Sequence, residues 1–507
     1  MSISVLWTNG KLVNIESSIL GMRDSFVNKK TLFIITCSFL MTLILVLPSS
    51  AFAQTLDLTG GVKNEYDYEE YIFLTGNPIK FTATAKNVSV SVKESKGKLT
   101  ETYKLTLTGP NNAKLTRNFT YTYDVTNYDQ VGQSSATGEV TKFTEKITIG
   151  NQTYTLEDYQ LSKSTITDKR PASDYYSGNA IARKTYTVGS GSRNSTNPQT
   201  ITVHIDSRNE GYENFWGATE TQITEYEIEY ANGSIGTVIN KISAAKTKKL
   251  EYSENDATLS SFIGNYKTVS SADTISEYEY DLPNARGTVA IDLEYMPKLE
   301  MLKIPKFRDL SSNWAREHIE KLYSLGILDD QSNFFSPATP MLRYDFAVAI
   351  GKAIDLRVLE DTSSRRKTTQ QSTIFKDVKK STKDYNYLVA SVNKEVIKGI
   401  TANTFSPNGF LTREQAATIL VRALGLEERA PDPGYSTSYR DDYKIADYAR
   451  DSVYIATELG LLQGNNELFD PKGTLTRAQS AAIIERFLLY LEQDLKENYR
   501  DNILFFN

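Results

Sequence analysis

Polar and apolar residues alternate over short runs through most of residues 54–300. The run Phe119–Tyr123 is one example, with threonines placed between aromatic residues. Such alternation puts one face of a strand on a core and the other in water, which is typical of antiparallel strands. The region is therefore predicted to be all-β, folded as an antiparallel sandwich or as one broad sheet, in one domain or two.

Turn residues divide this β-rich region into hairpins. Gly150-Asn151 separates two strand-like runs, and Asn232-Gly233 separates another two. Because Asn-Gly favours the type I′ turn that matches the twist of paired strands, residues 232–233 give the strongest hairpin prediction in the chain. Trp216 lies at the end of a predicted strand, and we interpret it as a core residue rather than a platform for a sugar ring.

From about residue 305 the apolar residues follow helical spacing, and the sequence repeats at intervals of roughly 64–70 residues. Each copy opens with an aromatic-x-Asp motif and continues through a helix-like stretch to an aromatic-x-Pro motif. Six residues after that proline stands an arginine in every copy: Arg343, Arg413 and Arg477. The copies are predicted at residues 305–356, 374–426 and 438–491, with a tail at 492–507.

The arginines lie at predicted helix starts, where a cation is not needed. Thr412 with Gln415, and Thr476 with Gln479, form the Thr-x-x-Gln pattern of a capping box. The first copy has Leu342 in place of the capping threonine. A positive charge at a helix N-terminus is mildly unfavourable, so the arginines indicate an anionic partner nearby. A structural ion pair with a neighbouring repeat is the alternative.

The repeats resemble S-layer homology domains. That family shares the opening Phe-x-Asp, a Trp-Ala on the first helix, a glycine-rich bend, the Phe-x-Pro and a Thr-Arg-Ala-Glu helix start. Trp314-Ala315 matches in the first copy, Tyr448-Ala449 approximates it in the third, and the second has Lys383-Asp384. The paired bend positions are Gly326 and Asp330, Glu395 and Gly399, and Gly460 and Gly464.

The resemblance implies an all-α, pseudo-threefold unit that binds a pyruvylated secondary cell wall polymer in grooves between repeats. It carries a ligand-binding role to six residues: Arg343, Arg413, Arg477, Gly399, Gly464 and Trp314. A guanidinium fork suits a carboxylate ligand. The altered helix start of the first copy and the missing tryptophan of the second weaken the match there. For Trp314, a core position is favoured over a sugar platform.

A leader is predicted before the β-rich region. Residues 22–53 contain basic residues, an apolar run and the small-residue exit Ala51-Phe52-Ala53, as in a secretory signal peptide. Cleavage after Ala53 would leave Gln54 first, and no membrane span is then expected. A membrane anchor is the alternative. Residues 1–21 are interpreted as an over-extended start.

Composition narrows the possible chemistry. A net charge of −5 argues against a nucleic-acid binder. Cys37, the single cysteine, lies in the leader, and the chain has two histidines. No metal, cofactor or catalytic set is therefore predicted. Glu225, Glu227 and Glu229 are interpreted as a solvated strand face rather than the paired carboxylates of a glycosidase.

Two hypotheses remain for the function. The first is a secreted protein on the cell wall whose β-rich region binds glycans or surface proteins, or has a structural role. The second is a wall-anchored hydrolase acting on polysaccharide or peptidoglycan through residues 54–300. A third interpretation, intracellular helical hairpins, conflicts with the leader. The chain has few histidines, and its candidate acids are predicted to face solvent. Both observations favour the first hypothesis, a binding or structural role.

Overall fold

The computed structural model describes residues 7–8, 11–12, 57–190, 199–252, 266–304, 306–330, 332–356 and 374–494. The predicted signal peptide lies outside these residues. Met1–Phe52 forms one unit and Ala53–Asn507 another. In the first unit, the two-residue strands β1 (Trp7–Thr8) and β2 (Lys11–Leu12) pair antiparallel.

The β-rich region is a single sheet of fifteen strands. Its backbone order is β16-β15-β14-β13-β12-β11-β10-β9-β8-β7-β5-β4-β3, with β6 added beside β7 and β17 beside β15. The strands are β3 Val62–Lys63, β4 Asp67–Ile72, β5 Ile79–Thr84, β6 Val88–Ser95, β7 Lys98–Thr108, β8 Lys114–Tyr128, β9 Gln133–Ile149, β10 Gln152–Lys169, β11 Ser173–Ser190, β12 Gln199–Asn214, β13 Gly217–Glu229, β14 Ile235–Tyr252, β15 Tyr266–Leu282, β16 Ala285–Asp292 and β17 Lys298–Met301. The all-β prediction is confirmed, in its broad-sheet form.

The first residues of the β-rich region lie across the apolar face of the later strands. Tyr226 on β13 donates its hydroxyl to the carbonyl of Leu58 at 2.6 Å, and Tyr278 on β15 donates to Thr59 at 3.0 Å. Tyr68 on β4 and Tyr278 on β15 are buried in the same hydrophobic core. The first strands of the sheet therefore form a second layer over the later strands. The apolar positions of the alternating pattern are therefore covered by the same sheet rather than by a second one.

The hairpin at Asn232-Gly233 exists, but its turn type differs from the prediction. The amide of Gly233 donates to Tyr230 at 2.8 Å, and the amide of Tyr230 donates to Ser234 at 2.9 Å. Gly233 has φ of 82°, whereas Asn232 is not among the residues with positive φ. A type I′ turn needs positive φ at both central residues, so this is a longer loop that ends with a glycine in the left-handed region.

Six α-helices follow the sheet in the described part of the chain. They are α1 Arg316–Ser324, α2 Arg343–Ala353, α3 Tyr385–Asn393, α4 Arg413–Leu424, α5 Arg450–Glu458 and α6 Arg477–Leu489. Each predicted repeat contains one consecutive pair of them. The second helix of each pair is the more deeply buried, because its alanines and branched residues meet the core on almost every side.

Three short backbone segments join the repeats to one another. The amide of Met341 donates to Leu475 at 2.8 Å, that of Leu475 to Leu411 at 3.0 Å, and that of Leu411 to Met341 at 2.9 Å. All three side chains are buried. Each segment immediately precedes the second helix of its repeat, so these hydrogen bonds bring the three helix starts close together.

The sheet contacts the opposite ends of these helices through two of its turns. Trp216, between β12 and β13, donates its indole N–H to the carbonyl of Ala353 at 2.8 Å. Between β10 and β11, the amide of Ala172 donates to Ala423 at 2.9 Å, and Arg170 donates to Gly425 at 3.1 Å. The interpretation of Trp216 as a core residue is confirmed, since it is 3% exposed, but the core is shared with the helices.

In the part of the chain that the structure describes, none of the helices has the length and apolar character needed to cross a membrane.

Candidate ligand-binding grooves

The aspartate of each opening motif fixes the backbone of the aromatic-x-Pro motif. Asp377 accepts hydrogen bonds from the amides of Phe405 at 2.9 Å and Ser406 at 2.7 Å. Ser406 has φ of 62° and is held in the left-handed region by this contact. Burial would raise the pKa of Asp377, but these amide donors lower it below the ordinary value. The aspartates at 309 and 441 make the same pair of contacts.

The helix starts follow the sequence prediction. Thr412 accepts from the amide of Gln415, and the Gln415 side chain accepts from the amide of Thr412. Thr476 and Gln479 form the same reciprocal pair, so both capping boxes are confirmed. Leu342 makes no side-chain cap at the start of α2. Each motif arginine is thus the first residue of its helix.

Every motif arginine extends from its own repeat into a neighbouring one. Arg413, from the second repeat, lies with its guanidinium 5.0 Å from the ring centre of Phe469 in the third. Its Nε donates to the carbonyl of Phe469 and its Nη2 to that of Gln463, both at 2.7 Å. Burial lowers the pKa of Arg413, and the charges of Asp470 and Asp441 oppose this shift only in part.

Arg477 makes the corresponding contact with the first repeat and gains a carboxylate. It lies 4.4 Å from the ring centre of Phe335, and its Nε donates to the Phe335 carbonyl at 2.9 Å. Its Nη2 pairs with the carboxylate of Asp330. Asp330 also accepts from the hydroxyl of Tyr323 at 2.9 Å. The anionic partner of Arg477 is therefore a residue of this chain.

Arg343 is the most buried motif arginine and has the fewest partners. It is 8% exposed, lies 5.0 Å from the ring centre of Phe405, and donates from Nη2 to the carbonyl of Lys398 at 2.5 Å. Its Nε has no hydrogen-bond partner among the described residues. Burial lowers the pKa of Arg343, and the nearby charge of Arg422 lowers it further.

A groove of about 440 Å³ adjoins Arg343. It is lined by Arg343, Val396, Ile397, Lys398, Gly399, Ile400, Gln415, Thr418, Ile419, Arg422 and Tyr448. All three repeats contribute to this lining. The groove combines apolar walls with cationic groups and an aromatic ring, which are features of small-ligand sites.

Two of the bend glycines, Gly399 and Gly464, are required by packing. A Cβ at Gly399 would lie 2.3 Å from the carbonyl oxygen of Thr401, and one at Gly464 would lie 2.4 Å from the ring of Tyr439. Gly399 also lines the groove beside Arg343. In the first repeat Asp330 stands at the matching sequence position, and its side chain extends to Arg477.

The preference for Trp314 as a core residue was wrong. Trp314 is 64% exposed, whereas the adjacent Ala315 is fully buried. The turn before α1 directs the alanine inward and leaves the indole beside His318, with ring centres 6.0 Å apart. Tyr448, at the matching position of the third repeat, is 51% exposed and donates its hydroxyl to Glu414. Aromatic rings are thus exposed at two repeat boundaries.

The boundary between the first and second repeats is rich in ion pairs. Lys352 lies 3.1 Å from Asp329 and 2.8 Å from Asp384, and Lys383 lies 2.9 Å from Asp329. Asp329 directly precedes Asp330, so these pairs continue the contact of Arg477. The sequence analysis placed Lys383-Asp384 at the Trp-Ala position of the second repeat, but it could not predict these pairs, because their partners lie in another repeat.

The β-rich region contains a buried charge cluster that the alternating pattern did not reveal. Arg117 donates to Glu70 at 2.8 Å and also pairs with Glu145. Burial opposes ionisation of Glu145, but the charges of Arg117 and Lys184 lower its pKa. Arg117 occupies an inward position of β8, where an apolar residue would be expected. Its partners lie on other strands, so only the folded sheet brings them together.

The candidate acids named from the sequence lie elsewhere. Glu225, Glu227 and Glu229 are all exposed on β13, as predicted for a solvated face. His204 is also exposed and lies 3.8 Å from Glu229. Within the described ranges, no group of three or more His, Cys, Asp or Glu side chains is arranged to hold a metal ion.

Residues 306–347, 374–417 and 438–481 each match the S-layer homology domain. The chain is 29% identical over 218 residues to an amylopullulanase of Thermoanaerobacterium thermosulfurigenes, covering 42% of this chain and 11% of that protein. It is 30% identical over 191 residues to an exoglucanase of Acetivibrio thermocellus, covering 37% of this chain and 17% of that protein. It is 27% identical over 180 residues to the surface-layer 125 kDa protein of Lysinibacillus sphaericus, covering 34% of this chain and 14% of that protein.

These matches confirm the resemblance found in the sequence: the C-terminal part of the chain contains three S-layer homology domains. The match spans between 11% and 17% of the length of these three relatives.

Proposed function

We propose that the three S-layer homology domains anchor this protein non-covalently to the cell wall by binding an acidic, pyruvylated secondary polymer. Three such domains indicate an association with the cell surface. The main support for an acidic ligand is Arg343, whose buried guanidinium lies beside an open groove and whose Nε has no hydrogen-bond partner in the part of the chain that the structure describes. A carboxylate could neutralise that charge and accept its hydrogen bonds.

The other candidate contacts follow from their positions. The hydrogen bonds described for Arg413 go to neutral carbonyls, so a ligand carboxylate could still pair with its guanidinium, although Asp470 and Asp441 also act on its charge. The exposed ring of Trp314 could stack on a sugar, as aromatic faces commonly do with apolar sugar faces. Gly399 and Gly464 keep the bends compact enough for the arginine of the preceding repeat to approach.

We further propose that the three domains form one pseudo-threefold unit. The closed cycle of hydrogen bonds through Met341, Leu411 and Leu475 supports this arrangement. The arginine contacts support it as well, because the first repeat reaches the second, the second the third, and the third the first. The grooves would then belong to the assembled unit rather than to any single repeat.

The predicted leader supports export, and the β-rich region would then be displayed at the cell surface as a binding or structural module. The hydrolase alternative requires two carboxylates that face one cleft. Glu225, Glu227 and Glu229 are spread along an exposed strand face, and Glu70 and Glu145 are both held by Arg117. These positions favour the non-catalytic role.

Sedimentation of the full chain with isolated wall tests the anchoring proposal. The protein should pellet with wall that carries its acidic polymer and remain in solution after mild acid removes the ketal-linked pyruvate. Removing the pyruvate also removes the carboxylate that would pair with the guanidinium, so binding should weaken roughly 10-fold or more. Equal binding to treated and untreated wall would contradict the proposal.

A further inference from the structure

We propose that the boundaries between repeats are unequal: the groove beside Arg343 takes the carboxylate-bearing sugar, while the boundary at Arg477 is already neutralised by the chain's own carboxylates. This inference rests on the proposed function, since it assumes an acidic wall polymer as ligand. It assigns the groove of the first repeat, which has the weakest helix-start motif, as the main anionic site.

The surroundings of Arg477 already contain carboxylates of this chain. Its guanidinium pairs with Asp330, while Lys352 and Lys383 share Asp329. Asp384 provides a second carboxylate for Lys352 at 2.8 Å. Three cations, Arg477, Lys352 and Lys383, therefore pair with Asp329, Asp330 and Asp384, and the partly buried carboxyl of Asp345 also interacts with Arg477 and Asp330. An incoming anion would have to displace one of these acids and would meet the others as like charges.

The second repeat also contributes a different surface to this boundary. Lys383-Asp384 stands where the first and third repeats have Trp314-Ala315 and Tyr448-Ala449. Both Lys383 and Asp384 take part in the ion pairs with the first repeat. An aromatic residue suited to a sugar ring has thus been replaced by residues that close the boundary between the two repeats.

The surroundings of Arg343 have the opposite character. Its acceptor is the neutral carbonyl of Lys398, and its Nε is unpaired among the described residues. Arg422 lines the same groove, with its own Nε bound to Glu427 at 3.0 Å. Tyr448 adds a half-exposed ring to the lining. A carboxylate on the ligand would satisfy the buried guanidinium while the sugar ring packs against the tyrosine.

One position explains the difference between these two sites. Asp330 provides the carboxylate at the bend of the first repeat, where Gly399 stands in the second. A side chain at 399 would collide with the Thr401 and Thr404 carbonyls, at 2.3 and 2.6 Å from a Cβ. The bend beside Arg343 therefore cannot hold an internal acid, and the guanidinium remains available to a ligand.

The first experiment compares alanine variants of the full chain for binding to purified acidic wall polymer. Arg343→Ala should weaken binding roughly 10–100-fold, because it removes a charge-assisted contact in a desolvated site. The loss of affinity caused by Arg477→Ala should be at least about fivefold smaller than that caused by Arg343→Ala. Arg477→Ala should instead lower the midpoint of thermal unfolding, because it breaks the pair with Asp330. Arg440→Ala, which removes an exposed arginine paired with Glu467, controls for the loss of one positive charge.

Arg343→Gln is the control for a loss of affinity caused by unfolding. It keeps the aliphatic stem over Phe405 and removes the charge. It should lose as much affinity as Arg343→Ala while its circular dichroism and unfolding midpoint stay close to wild type. Folded Arg343 variants that bind as wild type would overturn the inference, as would an Arg477→Ala loss equal to or larger than that of Arg343→Ala.

The second experiment removes an internal negative charge at the Arg477 boundary. Asp330→Asn keeps the shape of the side chain and removes its charge, so the affinity for acidic polymer should rise at least about threefold at low salt. An unchanged or lower affinity would contradict self-neutralisation. Failure of the proposed function looks different: wild type itself would then bind wall equally well with and without ketal-linked pyruvate.

Discussion

The three motif arginines show what one residue type can do in three local settings. Each lies over an aromatic ring of the neighbouring repeat, but the remaining partners differ: one carbonyl for Arg343, two carbonyls for Arg413, and one carbonyl with one carboxylate for Arg477. The spacing from the proline predicted where the arginines stand. It could not predict their partners, because these lie 50 or more positions away in the sequence.

Glu485 of the third repeat forms ion pairs with residues of the first repeat. It accepts a hydrogen bond from Lys321 at 2.5 Å and pairs with His318. Burial alone would raise the pKa of Glu485, but these two partners lower it below the ordinary value. Its contribution to stability should therefore be complete above about pH 4.3, the ordinary glutamate pKa, and be lost as the pH falls through the lower folded value.

Glu485→Gln should lower the free energy of unfolding by about 1–3 kcal/mol at pH 7, and by less at pH 3. Urea unfolding at the two pH values measures the difference. Glu320→Gln is the control, because its pair with Arg316 lies within one helix and should contribute less than about 0.5 kcal/mol. A deficit for Glu485→Gln that does not shrink in acid would contradict the assigned pairing.

Among the elements, helix starts were the most predictable from sequence. The capping boxes at Thr412 and Thr476 are local, so four consecutive residues contain the whole signal. The strands were predictable in type but not in arrangement, because alternation shows that one face is buried without showing what covers it. The turn at Asn232-Gly233 was placed correctly and typed wrongly, since its geometry depends on how Tyr230 and Ser234 pair.

Thr412→Ala should lower the free energy of unfolding by about 1 kcal/mol, because the amide of Gln415 loses its acceptor at the start of α4. Thr412→Ser keeps the hydroxyl and should be close to wild type. Urea midpoints at constant slope measure both variants. If alanine and serine are equally destabilising, the methyl group rather than the capping hydrogen bond is what stabilises this helix start.

For the whole molecule, the least predictable feature was the contact between the sheet and the helices. Turns of the sheet donate hydrogen bonds near the C-terminal ends of all three second helices, at Ala353, Ala423 and Leu491. Helix ends expose unsatisfied carbonyls, so they offer acceptors to any donor placed there. The sequence positions involved are 137 to 277 residues apart, and no local pattern connects them.

Trp216→Ala should loosen this contact, because it removes the indole hydrogen bond and a ring that is 3% exposed. We expect a loss of about 3–5 kcal/mol and, in calorimetry of the full chain, separate transitions for sheet and helices where wild type shows one. Phe215→Ala is the matched control, since the neighbouring ring is 39% exposed. A single unshifted transition in the Trp216 variant would show that the contact is not energetically important.

The hydrogen-bond cycle through Met341, Leu411 and Leu475 has a consequence for the order of synthesis. Polypeptides are made from the N-terminus, so the amide of Met341 must wait for the carbonyl of Leu475, which is produced 134 residues later. The arginine of the third repeat likewise completes the contacts of the first. A chain that stops after two repeats therefore contains every described strand of the sheet but lacks the residues that close the cycle, so the proposed attachment to the wall would require translation through the third repeat.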